Sequence, residues 1–257
     1  MKKLTQLSTL ILNHIDANYV EQILNHLFSL PVLSSLTIVS INNITDKNNI
    51  YYKLFRLPKL KYCEIFIELL QCPKSFIAAT NQFSTIEHFV INHEISIAQL
   101  FIVLSYVPQL RRLSVGNLKE SKVNQTGKYS ISLHHLINVS LKSNIHRNVP
   151  FNEFETLAIN CFHQVEVLNI AIQFIGFGLD DGEYINADRW ERLITTYMLN
   201  LRIFDFRYSY RGLDYNVEYQ TFETLINKFN STFWIEHQWF FDHHYHQITW
   251  SNAAVFY

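Results

Sequence analysis

The stretch Leu30-Pro-Val-Leu33-Ser-Ser-Leu36-Thr-Ile38 follows a frame of apolar, two others, apolar, two others, apolar, one other, apolar. The frame returns as Leu57-Pro-Lys-Leu60-Lys-Tyr-Cys63-Glu-Ile65 and as Val107-Pro-Gln-Leu110-Arg-Arg-Leu113-Ser-Val115. Five further copies are anchored, at the second apolar position, on Leu7, Ile86, Leu136, Val165 and Leu201. Successive anchors lie 26, 27, 26, 24, 26, 29 and 36 residues apart. The alternation closing each copy predicts a short strand. Between copies, apolar residues recur at helical spacing: Tyr19, Ile23, Leu24, Leu27 and Phe28; Leu100, Val103, Leu104 and Val107; Trp190, Leu193, Ile194 and Tyr197. Pro31, Pro58 and Pro108 fall just beyond such stretches, where the ring stops the helix and turns the chain into the next strand. A strand plus a helix is too small to bury its own apolar face, so neighbouring units must stack. The expected fold is α/β, a curved parallel sheet on a concave face with helices on the convex face.

This frame explains a length of 257 residues, which is awkward for one closed core. About eight units fill residues 1–207, and residues 208–257 add a loop, a final helix and aromatic capping strands of the same continuous stack. Apolar residues at 48% and charged residues at 17% exclude disorder. A net charge of −1 supplies no basic field for nucleic acid or anionic lipid, so neither is an expected partner. Met1-Lys2-Lys3 is not followed by a continuous apolar run, which predicts no signal peptide. The most apolar stretch, Ile97 to Val107, is too short to span a bilayer. Cys63, Cys72 and Cys161 show no CxxC spacing and read as reduced thiols. An intracellular protein, cytoplasmic or nuclear, is expected, with its four Asn-x-Ser/Thr matches unglycosylated.

The frame and period resemble the leucine-rich repeat family, specifically the helix-backed, ribonuclease-inhibitor-like repeats of many F-box proteins. The resemblance covers residues 4 to 206. It implies a leucine-rich-repeat solenoid that binds a protein, with substrate selection for a ubiquitin ligase as its context. The asparagine such repeats carry after the strand would fall at Ile15, Ile41, Glu68, Glu94, Leu118, Asn144, Gln173 and Ser209, and only Asn144 fits. The turn backbones of these divergent repeats must therefore find other partners. Glu21 to Pro31 reads as a repeat helix, since its Leu-Pro follows the helix rather than preceding it, and no F-box is visible. The first strand also begins without the polar cap that terminal repeats need. The expectation is a missing N-terminal segment that would dock the ligase adaptor, or a partner covering that edge.

Residues flanking the core positions of each strand line the expected concave face. One row reads Thr9, Ser35, Tyr62, His88, Arg112, Asn138, Val167 and Ile203; the next reads Ile11, Thr37, Glu64, Val90, Ser114, Ser140, Asn169 and Asp205. A third adds Asn13, Val39, Phe66, Asn92, Gly116, Lys142, Ala171 and Arg207. Polar, aromatic and doubly signed, the mixture suits a protein surface, and Tyr62, Glu64, His88, Arg112, Asn138, Asp205 and Arg207 are the candidate partner-binding residues. Insertions at Phe174 to Asp188 and Tyr208 to Tyr219 interrupt the period and are further binding candidates.

No enzyme is expected, because GxSxG, GxxxxGK[S/T] and HExxH are all missing. Cys63 holds a core position, and Cys161 lies at a helix-to-strand junction near His163. No cofactor is expected. The alternative is a metal or enzymatic site in the tail, where His237, Asp242, His243, His244 and His246 cluster. Against it, the tail is interleaved with Trp239, Phe240, Phe241 and Tyr245, and adjacent His243 and His244 would point to opposite faces of a strand.

Overall fold

The computed structural model describes residues 6–41, 47–67, 83–121, 131, 133–143, 149–175, 183–212, 224–241, 243–248 and 251–256. Its strands are β1 (Thr9–Ile15), β2 (Ser35–Ser40), β3 (Tyr62–Phe66), β4 (His88–Ile91), β5 (Ile95–Ser96), β6 (Arg112–Lys119), β7 (Asn138–Ser143), β8 (Val167–Ile175), β9 (Ile203–Gly212), β10 (His243–Ile248) and β11 (Ser251–Phe256). Five helices alternate with them: α1 (Ala17–Leu27), α2 (Lys47–Phe55), α3 (Ile97–Ser105), α4 (Phe151–Cys161) and α5 (Ala187–Tyr197). A further helix, Thr232–Glu236, belongs to the tail.

All the strands form one open sheet in the order β1-β2-β3-β4-β6-β7-β8-β9-β11-β10, with β5 added beside β6. From β1 to β9 every pairing is parallel, and successive framed strands are neighbours. The β10–β11 hairpin then pairs antiparallel onto β9. Because side chains alternate across a strand, one-sided burial fixes the register. Leu36, Cys63, Phe89, Leu113, Val139, Leu168 and Phe204 stand side by side and are buried, as are Ile38, Ile65, Ile91, Val115, Leu141, Ile170 and Phe206.

A repeated backbone device sets this register. The carbonyl of Ser8 accepts the N–H groups of Ser34 and Ser35, and that of Ser34 accepts those of Lys61 and Tyr62. Lys61, Glu87, Arg111, Ile137 and Glu166 repeat the arrangement, each accepting two successive N–H groups of the following unit. The step between units is thus tied at the strand entrance by main-chain bonds that do not depend on side-chain type.

The helices pack on the buried face. Val20, Leu24 and Leu27 of α1 turn inward, whereas Tyr19 and Phe28, expected to join them, are 58% and 39% exposed because they flank the inward stripe. Tyr51 of α2 meets Phe89 of β4 edge-on, and its hydroxyl lies 2.9 Å from Nε2 of buried His93. Helix α3 is buried on nearly all sides, and its start carries a capping box: Ser96 Oγ accepts from Gln99 N and Gln99 Oε1 accepts from Ser96 N. Ser96→Ala is expected to lower stability by about 1 kcal/mol, read as an earlier urea midpoint. An unchanged midpoint would show that the cap is dispensable.

Beyond β4 and β6, side chains of neighbouring units meet one another and the backbone. Glu94 pairs with buried Lys119. Ser121 Oγ accepts Ala98 N, while Glu153 accepts Ser121 N at 3.0 Å. Asn144 lies outside the described residues.

Phe151, Phe154, Trp190, Phe204 and Phe206 form an aromatic layer between α4, α5 and β9. Through Phe204 it continues into the tail, where Trp234, Trp239, Phe229 and Phe241 pack together. Two further features depart from the sequence expectation. Phe83, a frame position, is 62% exposed. Strands β8 and β9 run on to Ile175 and Gly212, pairing with each other as far as Ile175 and Arg211, so the insertions begin later than Phe174 and Tyr208. Cys161 closes α4, at the helix-to-strand junction where the sequence places it.

Candidate functional site

The face opposite the helices carries the three flanking rows. Thr9, Ser35, Tyr62, His88, Arg112, Asn138, Val167 and Ile203 are register partners across eight strands, and the row from Ile11 to Asp205 is likewise in register. In the third row, Val39 pairs with Phe66, and Lys142, Ala171 and Arg207 pair in turn. Asn13 and Gly116 are displaced by two bulges, and Asn92 lies just past the end of β4. Between Leu12 and Ile15 the first strand spends one residue more than its partner, with His14 at φ 55°, and β6 does the same between Val115 and Leu118.

The seven candidate residues therefore share a face but fall into two groups. Tyr62, Glu64, His88, Arg112 and Asn138 lie on β3, β4, β6 and β7, while Asp205 and Arg207 stand apart on β9 beyond β8. At about 4.8 Å per strand, the row from Tyr62 to Asn138 spans about 14 Å. Tyr62, Glu64, His88 and Asn138 are half-buried, and Arg112 is exposed.

Glu64 is held from two sides. Tyr62 Oη donates to Oε2 at 3.0 Å, and Asn92 Nδ2 donates to Oε1 at 2.9 Å. Burial, and then the bond to Glu64, raises the Tyr62 phenol above its ordinary pKa. Asn92 leans beside Gly116, where a Cβ would come within 3.0 Å of Asn92 Oδ1. A side chain at 116 would press on the amide that holds Glu64. Asn92 and Gly116 belong to the third row but not to the seven candidates; the signal for Asn92 is its diagonal placement, two residues past the register partner of Glu64.

Asp205 and Arg207 pair with each other. Arg207 Nε and Nη2 donate to the two carboxylate oxygens at 3.2 Å each. Both are well exposed, so solvent screens the pair and it adds little stability. Arg112 and Lys142, both exposed, form no ion pair or hydrogen bond with a carboxylate among the described residues.

Cys63 and Cys161 are buried, and burial pushes both thiols up, that of Cys161 to about 12. Both are protonated at neutral pH, and neither offers a thiolate. Among the described residues no three His, Cys, Asp or Glu side chains converge as a metal site. His237 caps the tail helix, with Nδ1 2.8 Å from the Phe233 carbonyl and its ring between Phe233 and Trp239. His243, His244 and His246 lie on β10, but their side chains, like all of Asp242, lie outside the described residues. The same holds for 176–182 and 213–219 of the two insertions, and for Cys72. No helix among the described residues is long and apolar enough to cross a membrane. Compared with known proteins, the chain matches no family model, no curated protein and no solved structure.

Proposed function

We propose that this chain is a leucine-rich-repeat solenoid whose helix-free sheet face binds a protein, with no chemistry of its own. The observation that carries this reading is the alignment of Tyr62, His88, Arg112 and Asn138 into one row over which no described element packs. Aromatic and arginine side chains on a rigid, half-buried floor are the usual anchors of protein interfaces. Curvature follows from packing widths: helices need about 10 Å where strands need about 4.8 Å, so stacked units bend toward the strand side. The aromatic tail packed on β9 serves as the cap of the stack. Buried thiols that form no disulfide support an intracellular setting, cytoplasmic or nuclear.

The resemblance to the repeat region of F-box proteins adds a context, substrate selection for a ubiquitin ligase. Its test is a pulldown with the ligase adaptor, using this chain and the longest reading frame that contains it. Retention of the adaptor by the longer form supports the context, and no retention by either removes it. The binding face is tested separately by co-precipitation from cells. A partner retained by the wild type and by the helix-side variant Arg192→Ala/Lys228→Ala is expected to be lost, about tenfold or more, by Tyr62→Ala/Asn138→Ala. Equal retention by all three would move the interface off this face.

A further inference from the structure

We propose that the helix-free face receives an acidic segment of its protein partner, with Arg112 and Lys142 as the receiving cations. The inference rests on the reading that this face binds a protein, and it names what that protein brings. The acids of the face are already engaged: both oxygens of Glu64 accept from Tyr62 and Asn92, and both oxygens of Asp205 accept from Arg207. Asp205 likewise occupies Arg207. Arg112 and Lys142 have no such carboxylate among the described residues; Glu64, held by neutral donors, keeps its charge, so the three rows set three cations against two acids and the excess is positive.

Their placement adds a length. Arg112 is the register partner of Asn138 on the adjacent strand, and Lys142 lies four residues further along that strand. One strand spacing and four residue rises separate their backbones by about 14 Å. Between them the floor is made of the small residues Ser114, Ser140 and Gly116. An extended segment rises about 3.3 Å per residue and turns residues i and i+4 to the same side, so carboxylates at that spacing reach both cations. Opposite charges across an interface steer encounter and fix register. A nucleic acid fits less well. Two cations neutralise few of the phosphates that give nucleic-acid binding its strength.

The test is fluorescence anisotropy with labelled deca-glutamate on the full chain at low salt, beside deca-lysine, a neutral Gly-Ser peptide and a twelve-nucleotide oligothymidylate. Deca-glutamate is expected to bind in preference to the other three. Arg112→Glu/Lys142→Glu should weaken it about tenfold, and the milder Arg112→Gln/Lys142→Gln somewhat less. Arg192→Glu/Lys228→Glu, the same change in net charge on the helix side, should leave it within about twofold. Equal weakening by both reversals, or no preference over the neutral peptide, overturns the proposal. Tighter binding of oligothymidylate overturns it in favour of a nucleic acid. If the partner is lost with Tyr62→Ala/Asn138→Ala but kept with both charge variants, the acidic segment falls and the face stands. If the face variants also keep it, both readings fall.

Discussion

Replacing Trp190 by alanine is expected to lower the free energy of unfolding by about 3–5 kcal/mol. Trp190 is fully buried and donates Nε1–H to the Tyr184 carbonyl at 2.8 Å. Its ring meets Phe151 and Phe154 of α4 and Phe204 and Phe206 of β9, with centroids 4.9 to 5.4 Å away. Truncation thus opens a cavity between two helices and the sheet, at the layer that links the repeats to the aromatic tail. Such a loss is a large fraction of a typical domain's stability. Leu199→Ala, at a position 77% exposed, should stay within about 0.5 kcal/mol. Urea unfolding followed by circular dichroism compares the two. Equal midpoints would mean that the layer does not carry the stack.

The second large effect is alkaline. Burial raises the thiols of Cys63 and Cys161 and the phenol of Tyr51 above their ordinary values. In the unfolded chain the thiols ionise near pH 8.5 and the phenol near 10. Raised folded pKa values mean that the native state keeps protons the unfolded state has lost. The contribution is therefore whole below about pH 8.5 and is lost as pH rises toward the folded values. Each thiol removes about 1.4 kcal/mol per pH unit in that window, so the pair costs about 5 kcal/mol between pH 9 and 11. Denaturant melts at pH 8, 9, 10 and 11 should show this fall, with a clearly shallower slope for Cys63→Ala/Cys161→Ala. Parallel slopes would show that these thiols are not kept from water.

The parallel sheet was legible because its signal is a period-two alternation with one buried side, and slipping such a strand by one residue would expose its core row. Positions 35, 62, 88, 112, 138, 167 and 203 consequently fall in register as the frame aligns them. The frame lost its hold where local backbone geometry decides. The bulges before Ile15 and Leu118 displace Asn13 and Gly116 of the third row, and the frame itself does not mark them, although a glycine inside a strand is a local sign of the second. The two-fold acceptor role of Ser8, Ser34, Lys61, Glu87, Arg111, Ile137 and Glu166 is a main-chain matter and leaves no side-chain trace. At the candidate site the sequence supplied the face but not the pairing upon it. Whether Arg207 reaches Asp205, or Asn92 reaches Glu64, depends on side-chain reach across neighbouring positions, and that pairing separates Arg207 from Arg112.

Site-specific photocrosslinking tests the central claim most directly. A benzophenone amino acid placed in turn at His88, Arg112 and Asn138, and on the helix side at Arg192 and Thr195, reports which surface touches the partner in the cell. Binding through the helix-free face predicts one discrete adduct, the same from all three sheet positions and missing from both helix positions. An adduct from Arg192 or Thr195 with none from the sheet row would contradict it.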